Sequence, residues 1–89
     1  MNGFMLIRHK VKNFTTWKEG YDSHAPERAG AGLTEKYLLR STNAPNEVVM
    51  LFEAQDIDRA QAFAESPDLR EKMQDFGVVD KPDVYFLNR

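Results

Sequence analysis

Four short segments of this chain carry large apolar side chains at both positions of a two-residue repeat. Between Phe4 and Val11, Phe4 and Leu6 point one way and Met5, Ile7 and Val11 the other. Between Glu47 and Ala54, Val48, Met50 and Phe52 oppose Val49 and Leu51. The stretch from Leu33 to Thr42 sets Tyr37 and Leu39 against Leu38, and Val84 to Leu87 is again apolar on both sides. An antiparallel sheet with one wet face alternates apolar and polar residues instead. A sheet built from these strands must therefore be covered twice. Two helical regions can cover one face. The other is expected to meet the same face of a second copy about a two-fold axis, because a contiguous apolar patch drawn from four strands is unusual on a monomer.

The helical regions lie between the strands. Asn13 is a plausible N-cap, followed by Phe14, Trp17, Tyr21 and Ala25 at steps of three and four. Gly20 weakens this helix by about 1 kcal/mol relative to alanine. Pro26 predicts an end or kink near His24 with a restart for one turn through Arg28, and Gly30 and Gly32 supply the stop. Asn43-Ala44-Pro45-Asn46 is a hairpin-length turn joining the second and third strands. Asp56 caps a second helical region lined by Ile57, Ala60, Phe63 and Ala64. Within it Ser66-Pro67-Asp68 begins a new helix, since serine caps, proline suits the first turn and an acid suits the helix dipole. Leu69, Met73 and Phe76 continue an apolar side and Gly77 ends it; Pro82 opens the last strand. The order β-α-β-β-α-β predicts a ferredoxin-like α+β fold with a four-stranded antiparallel sheet, residues 1–89 forming a single domain.

Composition narrows the function classes. At 89 residues only one core can form, burying roughly 60–65% of the unfolded surface, so burial through association is valuable. Basic and acidic residues number 12 and 14, giving a net charge of −2 with no basic stripe, which speaks against nucleic acid as a partner. Cysteine is absent, so disulfides, thiolate nucleophiles and cysteine metal sites are excluded. The start at Met1-Asn2-Gly3 runs directly into an apolar stretch containing Arg8 and His9, unlike a secretory signal, and no stretch approaches the ~20 apolar residues that span a bilayer. A cytoplasmic protein with no membrane partner is expected.

Two histidines are present. His9 shares a strand face with Met5, Ile7 and Val11; His24 lies seven residues beyond Trp17 and three beyond Tyr21. That spacing sets Trp17, Tyr21, His24 and Arg28 along one stripe. Facing the sheet, the stripe would make an aromatic pocket closed by His24 and Arg28, able to hold a planar or acidic small molecule. Facing away, Trp17 and Tyr21 would be core and His24 and Arg28 solvated. Asp22 could pair with Lys18 or Arg28, or orient a histidine and fix its tautomer. Tyr37 could direct its hydroxyl into the pocket or simply pack. Lys36 and Arg40 fall with Leu38 and Arg8 with Phe4 and Leu6, so each needs a partner such as Glu53 or a place at the dimer rim. No histidine spacing suits a metal, no serine or threonine sits in a nucleophile elbow, and Gly30-Ala31-Gly32 ends a helix where phosphate binding needs glycines that begin one.

The stretches His9-Lys10-Val11-Lys12-Asn13-Phe14-Thr15-Thr16-Trp17-Lys18 with Tyr21-Asp22, Arg28 before the glycines, Asp58-Arg59-Ala60-Gln61-Ala62-Phe63, and Ser66-Pro67-Asp68-Leu69-Arg70-Glu71-Lys72-Met73 with Gly77-Val78 resemble the dimeric α+β barrel superfamily. That group includes the antibiotic-biosynthesis monooxygenases and small cyclase-like proteins. The resemblance covers nearly the whole chain and implies a barrel-like homodimer. It is specific for fold and unspecific for reaction, since such folds host oxygenases, isomerases, cyclases and haem enzymes. Haem-degrading relatives are expected to carry a histidine late in the second helical region, and none follows His24 here, so no cofactor is expected. Two functions remain open. One is a cofactor-independent oxygenase, isomerase or cyclase on a small aromatic or polyketide-like molecule. In it His24 or His9 acts as general base, with Asp22 in support, Arg28 holds an anionic oxygen, and Trp17, Tyr21 and Tyr37 contact the substrate. The other is a non-catalytic small-molecule binder or dimeric interaction module. A pocket filled by its own side chains would remove both ligand-based readings.

Overall fold

The computed structural model describes residues 2–79 and 81–89; Met1 and Asp80 lie outside them. Among the described residues the order is β1 (Gly3–Lys10), α1 (Phe14–Ser23), α2 (Ala25–Gly30), β2 (Leu33–Arg40), β3 (Glu47–Ala54), α3 (Ile57–Ala64), α4 (Pro67–Asp75) and β4 (Asp83–Leu87). Each expected helical region is thus a broken pair. Pro26 sits in the first turn of α2, and Pro67 opens α4 behind the Ser66 cap, whose hydroxyl accepts from the Leu69 amide at 3.1 Å.

The strands form one antiparallel sheet in the order β2-β3-β1-β4, the ferredoxin-like α+β topology. Register separates the two faces. Met5, Ile7 and His9 stand opposite Phe52, Met50 and Val48, and the helices pack on this side. Phe4, Leu6 and Arg8 stand opposite Glu53, Leu51 and Val49 on the other. Met5, Val48, Met50 and Phe52 are almost wholly buried, each worth about 1.5–3 kcal/mol by burial alone. On the other face Tyr37, Leu39, Tyr85 and Leu87 are 43–60% exposed. The apolar second face expected from the strand pattern is therefore present, and no helix among the described residues lies over it.

The β2–β3 register shifts between Glu35 and Tyr37. As a result Lys36 does not share the Leu38 face, as simple alternation predicts, but reaches Glu53 on the open side at 3.7 Å. Arg40 keeps the Leu38 face, and its guanidinium lies 3.9 Å over the Phe14 ring. At the end of α4 the chain reverses at Gly77, whose φ of 87° a side chain would strain. Val11, expected to end β1, is instead a single bridge to Val78.

Candidate functional site

The site lies between α1 and the sheet, and its position is set at the N-terminus of the helix. Asn13 Oδ1 accepts from the Thr16 amide at 3.1 Å, and Asn46 of the β2–β3 turn accepts from the Phe14 amide at 3.2 Å. With that end pinned, the 3.6-residue repeat turns Trp17 and Tyr21 inward, where both are buried. Their rings stack at 4.9 Å and 28°. His9, carried by β1, meets the Trp17 ring edge-on at 5.3 Å.

His24 is the hinge residue between α1 and α2, closing one helix and preceding the next. It is 6% exposed. Its imidazole stacks on Phe63 of α3 at 6.0 Å and meets Phe76 edge-on at 6.2 Å. The Nε2 atom is buried and has no hydrogen-bond partner among the described residues. Such a group ordinarily costs about 1–3 kcal/mol, so its persistence calls for an explanation. The ring borders a chamber of about 60 Å³ lined by Trp17, Tyr21, Arg28, Phe63, Leu69, Met73 and Phe76 on the helix side and Met5, Ile7, His9, Met50 and Phe52 on the sheet side. The volume suits a few waters or a diatomic gas; it is well under the roughly 150 Å³ that accepts benzene. The pocket is neither filled nor, with side chains as they stand, open to a ring system.

Arg28 and Tyr21 form the polar wall. Arg28 Nη1 donates to the Tyr21 carbonyl at 2.7 Å while its guanidinium carbon lies 3.6 Å over the Tyr21 ring. The Tyr21 hydroxyl donates to Glu35 Oε1 on β2 at 2.7 Å. Burial, and then that bond to a carboxylate, push the phenol well above its ordinary value near 10. Tyr21 is thereby held as a neutral donor, committed to Glu35.

Of the expected site residues the fold brings together Trp17, Tyr21, His24, Arg28 and His9. It does not bring Asp22 or Tyr37 to them. Asp22 is exposed and pairs with Lys18 at 2.6 Å, the i,i+4 partner on the outer side of α1, so it orients neither histidine. Tyr37 stands opposite Leu51 on the far face of the sheet and is 60% exposed, because the bulge fixes that parity. Arg8 is held by Glu47 at 3.2 Å and Asp83 at 3.0 Å, also on the far face. Among the described residues no group of three or more histidines and carboxylates is placed to hold a metal ion, and no helix is long and apolar enough to cross a membrane.

Besides Met5, Ile7, Met50 and Phe52 of the sheet, four lining residues from the second helical region were not expected to belong to a site. Phe63, Leu69, Met73 and Phe76 show only an apolar helical stripe, which core residues show equally. Glu35 gave no signal at all, since its meeting with Tyr21 depends on the β2 bulge.

No protein-family model matches the chain, and no curated protein matches its sequence. Solved structures do match in fold over nearly the full length of both chains. An antibiotic-biosynthesis-monooxygenase-like protein of Bordetella bronchiseptica superposes with a TM-score of 0.78 at 18% identity, covering 99% of this chain and 96% of its own. A conserved protein of Methanosarcina mazei gives 0.75 at 13%, with 100% and 93% covered. SnoaB, a cofactor-independent oxygenase of Streptomyces nogalater, gives 0.72 at 14%, with 99% and 94% covered. At such identities the likeness establishes the fold expected from the sequence resemblance.

Proposed function

We propose that the chain is a cofactor-independent enzyme of the oxygenase, isomerase or cyclase type, acting on a small aromatic or polyketide-like molecule with an acidic O–H or C–H. The observation that carries this is His24 Nε2, a buried, unpartnered imidazole nitrogen on a residue that borders an apolar, aromatic chamber. With the ring proton on Nδ1, Nε2 can take a proton from an enol, a phenol or an activated methylene. Arg28, on the rim of the same chamber, can hold the anionic oxygen that results. Trp17 and Tyr21 offer flat surfaces for the substrate, and His9 forms part of the floor.

A carbanion formed in this way can recombine with a proton elsewhere, attack a carbonyl, or react with dioxygen. In the last case a methylene and O2 become a ketone and water: the new C–O bond forms as the carbanion is oxidised, and loss of water cleaves the O–O bond. The protein's part is proton removal and exclusion of solvent. The fold shared with SnoaB makes the oxygen route a reasonable first trial.

We further propose that the working form is a homodimer joined through the open sheet face, as the exposed apolar band on that face suggests.

Trp17 is the one tryptophan in the chain, so occupation of the chamber should quench its fluorescence. The test is a panel of hydroxylated naphthalenes, followed by tryptophan quenching and by oxygen uptake or product formation. Turnover by the wild type is expected to fall 10²-fold or more in His24→Ala. Full turnover in both His24→Ala and His9→Ala would defeat the assignment. Quenching without turnover of any compound would favour a binding protein, for which the failure of Asp22 to reach His24 is the supporting observation.

A further inference from the structure

The chamber at His24 is too small for the ring systems proposed to react there, yet it does not stand alone. A groove of about 700 Å³ lies between α4 and the start of β4, a size typical of small-molecule sites. Met73 borders both spaces. It is half-buried on a helix that has no buried residue, and an unbranched thioether has three rotatable bonds with which to move aside. Met73 is thus the side chain that the groove and the His24 chamber share.

The groove has its own chemistry. Ala64, Val78, Pro82 and Val84 give it an apolar lining. Arg70, one turn before Met73, and Lys81 both stand on its rim. Both are exposed, and neither side chain is in an ion pair or side-chain hydrogen bond among the described residues. Asp83, at the start of β4, is taken by Arg8. Two free cations over an apolar floor match an apolar body ending in a carboxylate.

Building on the proposed proton removal by His24, we propose that the α4–β4 groove is the outer half of one binding site. Its ligand is an elongated aromatic carboxylate whose acidic hydroxyl end passes Met73 into the His24 chamber while its carboxylate stays outside with Arg70 and Lys81. Met73 then sets how large a ring can reach His24.

The test uses 6-hydroxy-2-naphthoate, which has a phenol at one end and a carboxylate at the other, and its uncharged methyl ester. Calorimetry gives the affinity of each, and Trp17 quenching reports arrival in the chamber. The acid is expected to bind wild type at least tenfold more tightly than the ester. The double variant Arg70→Gln/Lys81→Gln, confined to exposed side chains, should erase that preference and leave the ester unchanged. Met73→Phe, a stiffer ring that adds no second indole beside Trp17, should abolish quenching by both compounds; Met73→Ala, which adds no bulk, should retain it. No binding of the acid to wild type, equal affinity for acid and ester, or undiminished quenching in Met73→Phe would each overturn the proposal. None of these readouts requires turnover, so they stand apart from the His24→Ala result.

Discussion

At the scale of single residues, His24 and Gly20 behave against ordinary expectation. A buried imidazole with one nitrogen unpartnered is a poor choice for stability among Phe63, Leu69, Met73 and Phe76. His24→Leu should therefore raise the stability by about 1 kcal/mol, seen as a higher urea midpoint with an unchanged slope, while removing any turnover. An unchanged or lower midpoint would mean that the imidazole is structurally satisfied. Gly20 carries the opposite lesson. Its cost to the helix, about 1 kcal/mol by propensity, is legible in the sequence, and the reason for it is not. A Cβ at that position would come within 3.0 Å of several carbons of the Phe76 ring, which packs against α1 there and lines the chamber. Gly20→Ala is accordingly expected to destabilise by about 1–3 kcal/mol through overpacking, in spite of the better helix former. Thermal unfolding decides between these signs. The stripe Trp17, Tyr21, His24 and Arg28 was readable because periodicity along a helix is a local property. The meeting of Gly20 with Phe76 spans 56 positions and leaves no trace in either neighbourhood.

Between elements, the bond from Tyr21 to Glu35 ties α1 to the edge strand β2. Because burial and Glu35 raise the tyrosine above its unfolded value near 10, the folded form keeps its proton where the unfolded chain gives it up. The stabilisation is complete below pH 10 and is lost as the pH climbs from there towards the raised folded value. Wild type should thus lose stability above pH 10 more steeply than Tyr21→Phe. Difference absorption near 295 nm should show one tyrosine ionising only with unfolding. Parallel alkaline profiles for the two proteins would argue that the bond is not formed in solution. Most element boundaries were legible because they are made by local chemistry: Asn13, Asp56 and Ser66 all cap, and Pro26 and Pro67 each sit in the first turn of a new helix. The bulge at Lys36 was not. Alternation in Leu33–Arg40 fits two parities equally well, and only pairing with β3 chooses between them. That single shift sends Tyr37 away from the site and Lys36 to Glu53, and so accounts for the expected contacts on β2 that the fold does not make.

For the molecule as a whole, the open face of the sheet has an order that composition cannot show. Register places Tyr37, Leu51, Leu6 and Tyr85 in one row across all four strands. The row on one side contains Leu39, Val49, Arg8 and Asp83, and the row on the other Thr34, Glu53, Phe4 and Leu87. Charge is thus confined to the outer rows, where it is neutralised within the chain: Arg8 by Glu47 and Asp83, Glu53 by Lys36. An apolar centre bounded by a polar rim is how protein interfaces are arranged, and a second copy turned about a two-fold axis would bring like centre against like centre. A partner of different sequence would have no reason to find every rim charge already paired. Leu51→Lys places an ammonium in the central row without touching the helix-packed core, so sedimentation should show a single 10.3 kDa chain where wild type shows twice that mass. If the chain cannot fold alone, the variant will instead be unfolded. Wild type distinguishes that case by itself: dissociation coupled to unfolding makes the melting midpoint rise with protein concentration. A wild-type chain that sediments as a monomer at micromolar concentration, with a midpoint independent of dilution, would leave the central row exposed to water and the dimer without support.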